Sequence, residues 1–413
     1  MPVVVLIGTL DTKGPEYEWL RDRLDGLGMQ VLLVDTGVLD PPWPPPDISR
    51  EEVARAAGTD LAELRAQGDR GVAVTAMARG AAQVVAELYR EGRVHGVLSV
   101  GGSGNSTIST CAMRALPVGV PKLMVSSMAS GDVSPYIGNT DLTMMYSVVD
   151  IAGINRISIR VLANAADAIA GMATGFAAGC PAPPGDRPVI GASMAGVTTP
   201  GVNAARELLS VLGYEVLVFH TTGSGGRSLE AMTAGGTLTG VLDPTLLELS
   251  TALVGGVGGA SPDRLETAGR LGIPQVVSLG CLDMAKFGPE VPRHFRHRQV
   301  HVHNPSVSVI RTNADECAEL GGTVAAKLRL ATGPTALFIP LQGLSTLSAP
   351  GGPYHDPEVD AVLFDSVREG LAGSPVEIVE MDTHLNDPAF GRAMADHLHV
   401  SMTPTPALRA AAS

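Results

Sequence analysis

Aromatic residues make up only 4% of this 413-residue chain and charged residues only 17%. The net charge is −13, so the chain has neither the stacking platforms nor the basic field that nucleic-acid binding needs. Its four cysteines, Cys111, Cys180, Cys281 and Cys317, are far apart and form no CxxC pair. That spacing argues against a zinc cluster or a disulfide framework and fits a reducing compartment. No apolar run reaches the roughly 18 residues of a membrane span. Met1–Ile7 is short and uncharged and runs straight into Thr9, Asp11 and Lys13, so no secretory leader and a cytoplasmic location are expected. Lysine is scarce: Lys13, Lys122, Lys286 and Lys327 are the only four among 29 basic residues. Where lysine persists in an arginine-rich chain, a compact ammonium can be required.

What is abundant is Val, Leu, Ile, Ala and Gly, with apolar residues at 45% and 49 glycines. Such a composition suits buried parallel strands flanked by helices. In the first half, the pattern predicts strands at Val3–Ile7, Val31–Val34, Val94–Val100 and Pro121–Ser126. Helices are predicted at Pro15–Leu27 and Val72–Glu91, and Leu142–Gly175 reads mostly as helix. Gly179–Arg187, with three prolines and two glycines, reads as a linker. In the second half, strands are predicted at Pro188–Ala192, Glu215–Phe219, Leu238–Leu242, Gln275–Leu279, Val307–Ile310, Ala336–Pro340 and Val376–Glu380. The expected fold is α/β: two tandem Rossmann-like, doubly wound domains, residues 1–180 and 188–413, with mostly parallel sheets. An echo supports the tandem reading: Leu27-Gly28-Met29-Gln30-Val31 and Leu212-Gly213-Tyr214-Glu215-Val216 occupy the same place in each half.

Three strand-to-helix loops carry the chemistry. In open parallel sheets, ligands sit beyond the carboxyl ends of the strands. The first loop, Gly8-Thr9-Leu10-Asp11-Thr12-Lys13-Gly14, offers glycines, hydroxyls, a carboxylate and a cation, yet is neither a Walker loop nor GxGxxG. The second, Gly101-Gly102-Ser103-Gly104-Asn105-Ser106-Thr107, follows an apolar strand and opens a helix as a phosphate cradle would. The third, His220 through Thr222-Gly223-Ser224-Gly225-Gly226-Arg227, repeats the theme with a local cation. His294, His297, His301 and His303 match no accepted metal spacing, and Arg293, Arg296 and Arg298 among them oppose a cation.

With further phrases, these loops resemble a known family. The phrases are GTLDTKG at 8–14, GGSGNST at 101–107, LPVGVPKLMVS at 116–126, SVVDIAGIN at 147–155, GVTTPGVNAARELL at 196–209, GYEVLVFHTTGSGGRSLE at 213–230, GCLDM at 280–284 and HLNDPAF at 384–390. The family is the ATP-binding one represented by the inhibitory domain of the tomato mosaic virus resistance protein, with many bacterial members. The resemblance implies two Rossmann-like domains, ATP binding and self-association as a homo-oligomer, but no settled reaction. Asn105, Pro244 and Lys286 depart from the family phrases.

The resulting expectations are specific. ATP with Mg²⁺ is held by Gly8, Thr9, Asp11, Thr12, Lys13, Gly101, Gly102, Ser103, Gly104, Asn105 and Ser106, with Lys122 and Ser127 nearby. Asp11 serves the metal. Thr222, Gly223, Ser224, Gly225, Gly226 and Arg227 bind a small anionic metabolite in a cleft between the domains, and His220 or Asp283 acts as base. On this reading the protein is an ATP-dependent enzyme of phosphoryl transfer or ATP hydrolysis. The alternative is a non-catalytic module in which ATP shapes a surface for a protein partner.

Overall fold

The computed structural model describes residues 1–39, 41–179 and 187–403. The chain divides into two compact units, Met1–Pro183 and Pro184–Ser413. Most of the expected linker, residues 180–186, lies outside the described residues.

The first unit runs β1 (Val3–Gly8), α1 (Leu10–Gly26), β2 (Gln30–Asp35), α2 (Arg50–Ala56), α3 (Leu61–Gln67), α4 (Arg70–Arg90), β3 (Gly96–Gly101), α5 (Ser103–Arg114), β4 (Lys122–Ser126), α6 (Ser134–Ile137), β5 (Thr143–Tyr146) and α7 (Ser158–Ala177). The sheet order is β2-β1-β3-β4-β5, with every pairing parallel. Strand alternation sorts the core into two layers. Val3, Val5 and Ile7 face Val85 of α4 and Ile108 of α5. Val4 and Leu6 face Tyr17 and Leu20 of α1 and Leu162 and Ile169 of α7. Both faces are covered, which is why β1 reads as an unbroken apolar run. Each such buried aliphatic side chain contributes about 1.5–3 kcal/mol.

Two sequence expectations change here. Residues 142–157 do not form helix. Thr143–Tyr146 pairs with β4 as the edge strand, and Val148 sits at φ 66°, a conformation a β-branched residue adopts only under constraint. The other change is the pair of short helices α2 and α3. Ser49 and Glu52 form a capping box on α2, and Asp60 caps α3; the apolar periodicity of such brief segments is too weak to announce them.

The second unit runs β6 (Val189–Met194), α8 (Thr199–Val211), β7 (Glu215–His220), α9 (Ser224–Ala234), β8 (Gly240–Thr245), α10 (Leu247–Leu253), α11 (Thr267–Arg270), β9 (Gln275–Gly280), β10 (Met284–Phe287), β11 (Val300–Asn304), β12 (Val307–Arg311), α12 (Ala314–Leu328), β13 (Thr335–Pro340), α13 (Pro357–Leu371), β14 (Glu377–Met381) and α14 (Pro388–Met402). Its main sheet is β14-β13-β9-β8-β6-β7, again parallel throughout. Numbered by order of appearance within their own sheet, the strands lie 2-1-3-4-5-6, the first unit's 2-1-3-4-5 with one more strand. The fold class is therefore α/β with two Rossmann-like parallel-sheet units. The predicted strand at Val307–Ile310 exists but belongs to a separate antiparallel sheet, β10-β12-β11. Pro244, inside β8, coincides with a register shift between Asp243 and Thr245, where a missing N–H is tolerated. Among the described residues, no helix is long and apolar enough to cross a membrane.

Candidate functional site

In the first unit the strand order reverses between β1 and β3. That switch point is where open α/β sheets take their ligands. The loops after these two strands are the two GTLDTKG- and GGSGNST-bearing segments, and they border one cavity of about 950 Å³. Residues 9 and 11–13, 36–39 and 102–105 contribute to its wall, with Asp150. Leu64, Ala73, Val74, Met77 and Ile108 give it an apolar side.

Both loops are shorter than the sequence suggests, because the helices begin early. Helix α1 starts at Leu10 and α5 at Ser103, and neither has a side-chain cap at its N-terminus. In α1 the Leu10 N–H is taken by Asp35 Oδ1 and the Thr12 and Lys13 N–H groups turn back to Thr9 O, so it is the first turn of α5, with the positive end of its helix dipole, that favours an anion. Lys13 leaves helical geometry within α1, at φ −127° and ψ 24°, and its Nζ donates to Ile151 O.

Behind the cavity, one phenol ties the two loops together. Tyr17 Oη lies 2.5 Å from Ile7 O and accepts from Val100 N at 2.9 Å and Asn105 Nδ2 at 3.0 Å. Its ring fills the space where Gly8 would carry a side chain. Burial pushes the Tyr17 pKa up to about 12, so it stays a neutral donor. Asn105 Nδ2 also donates to Val100 O at 2.9 Å. The departure at position 105 thus builds this network rather than narrowing a cradle. Ser106 Oγ is buried against Ser126 Oγ at 2.7 Å, and Ser127 lies near Gly102.

Asp11 was expected to hold Mg²⁺, and the geometry opposes it. Oδ2 accepts the N–H groups of Val38 and Leu39, both at 2.9 Å, with Arg50 Nη1 4.0 Å away. A guanidinium that close disfavours a second cation. Asp35, the last residue of β2, accepts from Leu10 N, Gly37 N and Arg50 Nε. Burial nevertheless raises its pKa. Among the described residues, no group of three or more His, Cys, Asp or Glu could hold a metal.

Lys122 is a clear correction. It opens β4, so it stands at the amino edge of a parallel sheet whose loops of interest lie at the carboxyl edge. It is fully buried, donating to Pro117 O, Val120 O and Asp141 Oδ1 at 2.7–2.9 Å. The scarcity of lysine pointed to a site requirement, whereas the requirement met here is structural.

Sequence reasoning missed Arg65 and Arg70, which line the same cavity from α3 and α4. Arg65 donates to Val38 O and Leu39 O, and Arg70 Nη2 lies 3.4 Å from where a Gly104 side chain would begin. Asp69, which caps α4, was the available signal.

The expected substrate loop of the second unit follows β7, the edge strand, rather than a switch point. Two of its backbone donors are already occupied: Glu248 Oε1 accepts from Gly223 N at 2.5 Å and Gly226 N at 3.0 Å. A side chain at Gly226 would collide with Glu248, and one at Gly225 with the His220 carbonyl. These glycines serve close packing around an internal carboxylate. Glu248 in turn binds Arg264, as do Asp243 and Glu230. Burial disfavours the Arg264 cation, but the three carboxylates outweigh it and raise its pKa. Lys286 lies beside Gly258 of the neighbouring turn, and burial lowers its pKa. At this unit's own switch point, between β6 and β8, the buried Thr198 and Thr245 hydroxyls bridge at 2.9 Å. Thr222 and Arg227 stand at the two ends of this glycine run.

The two alternative bases lie in different surroundings. His220 ends β7 and is exposed, whereas Asp283 follows β9 and is fully buried, bound to Ser345 Oγ at 2.7 Å. Strands β6 and β8 lie between, a separation of about 14 Å at sheet spacing. Burial raises the Asp283 pKa.

Comparison with known proteins places this geometry. Residues 2–178 match the model described as Uncharacterised protein family (UPF0261) N-terminal domain, and residues 187–402 match the corresponding C-terminal domain. The chain belongs to the UPF0261 family. It is 46% identical to a UPF0261 protein of Clostridium tetani, over 96% of this chain and 98% of that one. It is 41% identical to one of Mesorhizobium japonicum, over 97% and 100%. Another UPF0261 homologue is the ToMV resistance protein Tm-1(GCR237) of Solanum lycopersicum, 34% identical over 96% of this chain but only 55% of the tomato protein. Among solved structures, a putative UDP-N-acetylglucosamine 2-epimerase from Listeria monocytogenes aligns with 67% of this UPF0261 chain and 78% of its own, at 15% identity and a TM-score of 0.23. That likeness is too slight to carry a functional argument.

Proposed function

We propose that the chain binds ATP in the cavity of its first unit. The observation that carries this reading is the meeting of the N-terminal ends of α1 and α5, the latter without a side-chain cap, at one switch-point cavity with an apolar wall. The triphosphate takes the α1 and α5 ends, where Lys13 and Arg70 add positive charge. The adenine takes the side formed by Leu64, Ala73, Met77 and Ile108.

Of the two roles the sequence leaves open, ATP-gated binding of a partner is better supported than phosphoryl transfer to a small anionic metabolite. Of the two alternative bases Asp283 is fully buried, Asp11 Oδ2 is engaged by Val38, Leu39 and Arg50, and the Gly223 and Gly226 N–H groups are held by Glu248. A relative named for virus resistance fits the same role.

Titration calorimetry on the full chain tests the binding. ATP is expected to bind, and Lys13→Ala to weaken it by about 1.5–3 kcal/mol, the range for a hydrogen bond to a charged group. Arg70→Ala is expected to act in the same direction. Unchanged affinity in both variants rules out this phosphate placement. ATP left intact over hours supports the gate; rapid consumption supports the enzyme.

A further inference from the structure

Two polar atoms at the cavity are left unanswered by the protein itself. Asp11 Oδ1 and Thr36 Oγ1 are buried and have no hydrogen-bond partner among the described residues, and both residues line the cavity. The Asp11 side chain is 3% exposed and Thr36 is 2% exposed. They flank Gly37. A Cβ on Gly37 would stand 2.5 Å from Asp11 Cγ, so only glycine leaves this carboxylate in place. Buried polar atoms without partners are uncommon and costly, and each calls for a complement.

The surroundings limit what that complement can be. An anion is repelled by the carboxylate. A metal ion is opposed by Arg50, which sits 4.0 Å from Oδ2. What remains is a neutral group that donates to Asp11 Oδ1 and exchanges a hydrogen bond with Thr36 Oγ1, since a hydroxyl both donates and accepts. A vicinal diol has these properties. We infer that Asp11 and Thr36 read the ribose hydroxyls of the bound nucleotide, an inference that rests on the ATP reading above.

The inference also accounts for a displaced role. In dinucleotide-binding sheets, the acid at the end of the second strand meets the ribose. Here that acid is Asp35, fully buried and already engaged by Arg50, Leu10 N and Gly37 N. Asp11, reaching the same segment from the first loop, carries the open acceptor instead. Oδ2 is held by the Val38 and Leu39 N–H groups, while Oδ1 is buried without a partner among the described residues. The proposal makes Asp11 a determinant of sugar identity rather than a metal ligand.

The test compares ATP, 2′-deoxy-ATP and 3′-deoxy-ATP by calorimetry on the unaltered full chain, then on Thr36→Val. On the unaltered chain, at least one deoxy compound is expected to bind about 10-fold or more weakly than ATP, the loss for a hydrogen bond to a charged acceptor. Thr36→Val is expected to weaken ATP but to leave unchanged the deoxy compound that lacks its partner hydroxyl. Equal affinity for all three nucleotides on the unaltered chain overturns the inference and leaves ATP binding standing. Failure of ATP itself to bind overturns both. The deoxy comparison needs no variant, so a folding defect in Thr36→Val cannot mask the result.

Discussion

Replacing Arg264 by methionine is expected to destabilise the second unit by about 3–5 kcal/mol, the cost of removing one partner from a buried ionic cluster. The side chain is 1% exposed and contacts Asp243 at 2.5 and 2.8 Å, Glu248 at 2.8 Å and Glu230 at 3.4 Å. Without it, three carboxylates remain in a site that water does not reach. Backbone donors meet part of the need, from Gly223 and Gly226 to Glu248 and from Leu265 to Glu230, but they supply no full positive charge. The pH dependence has a defined sign. Burial already raises the Glu230 pKa from its ordinary 4.5, and removing the guanidinium, which lowers it, raises it further above its unfolded value. The variant's deficit should therefore grow as pH rises from about 4.5 toward 7 and shrink in acid. Urea unfolding at several pH values measures it. An Arg264→Met protein as stable at neutral pH as the original would show that the cluster does not anchor this unit.

Tyr17→Ala should be comparably severe, at about 3–5 kcal/mol for loss of a fully buried aromatic. Tyr17→Phe separates the two contributions. It keeps the ring that packs on Gly8 and removes only the hydroxyl that receives Val100 N and Asn105 Nδ2. Asn105 retains Val100 O and Ser99 Oγ, so the Val100 N–H is the group left unmet, at about 1–3 kcal/mol. Because this hydroxyl joins the ends of β1 and β3, Tyr17→Phe should also weaken ATP binding. Thermal unfolding with and without nucleotide reads both effects. A variant that loses stability but not affinity would mean the two loops hold their positions independently.

The sheets were legible from the sequence because period and length speak directly for buried strands. Val3–Ile7 and Gln275–Leu279 could hardly be anything else between turns. The tandem arrangement of two similar units was audible in the echo of Leu27–Val31 and Leu212–Val216, though the order of the strands was not. Less legible was which face or edge a residue reaches. Lys122 stands close in sequence to the loop at Ser127, yet a five-residue strand separates the two edges of the sheet. The glycines at 223–226 look the same as those of an anion cradle, because close packing and ligand approach both require a bare backbone. Only the structure shows Glu248 beneath them, 22 residues after Gly226. Arg65 and Arg70 were missed for the opposite reason. They enter the cavity from a helical segment with no loop signature, and their approach depends on how α3 and α4 fold over residues 36–39.

The central claim is that nucleotide occupies the first unit's switch-point cavity. A crystal structure of the full chain grown with ATP tests it most directly. The account predicts phosphate oxygens at the N-termini of α1 and α5, beside Lys13 and Arg70, with the base against Leu64, Ala73, Met77 and Ile108. ATP bound elsewhere, or this cavity empty at saturating ATP, would contradict it.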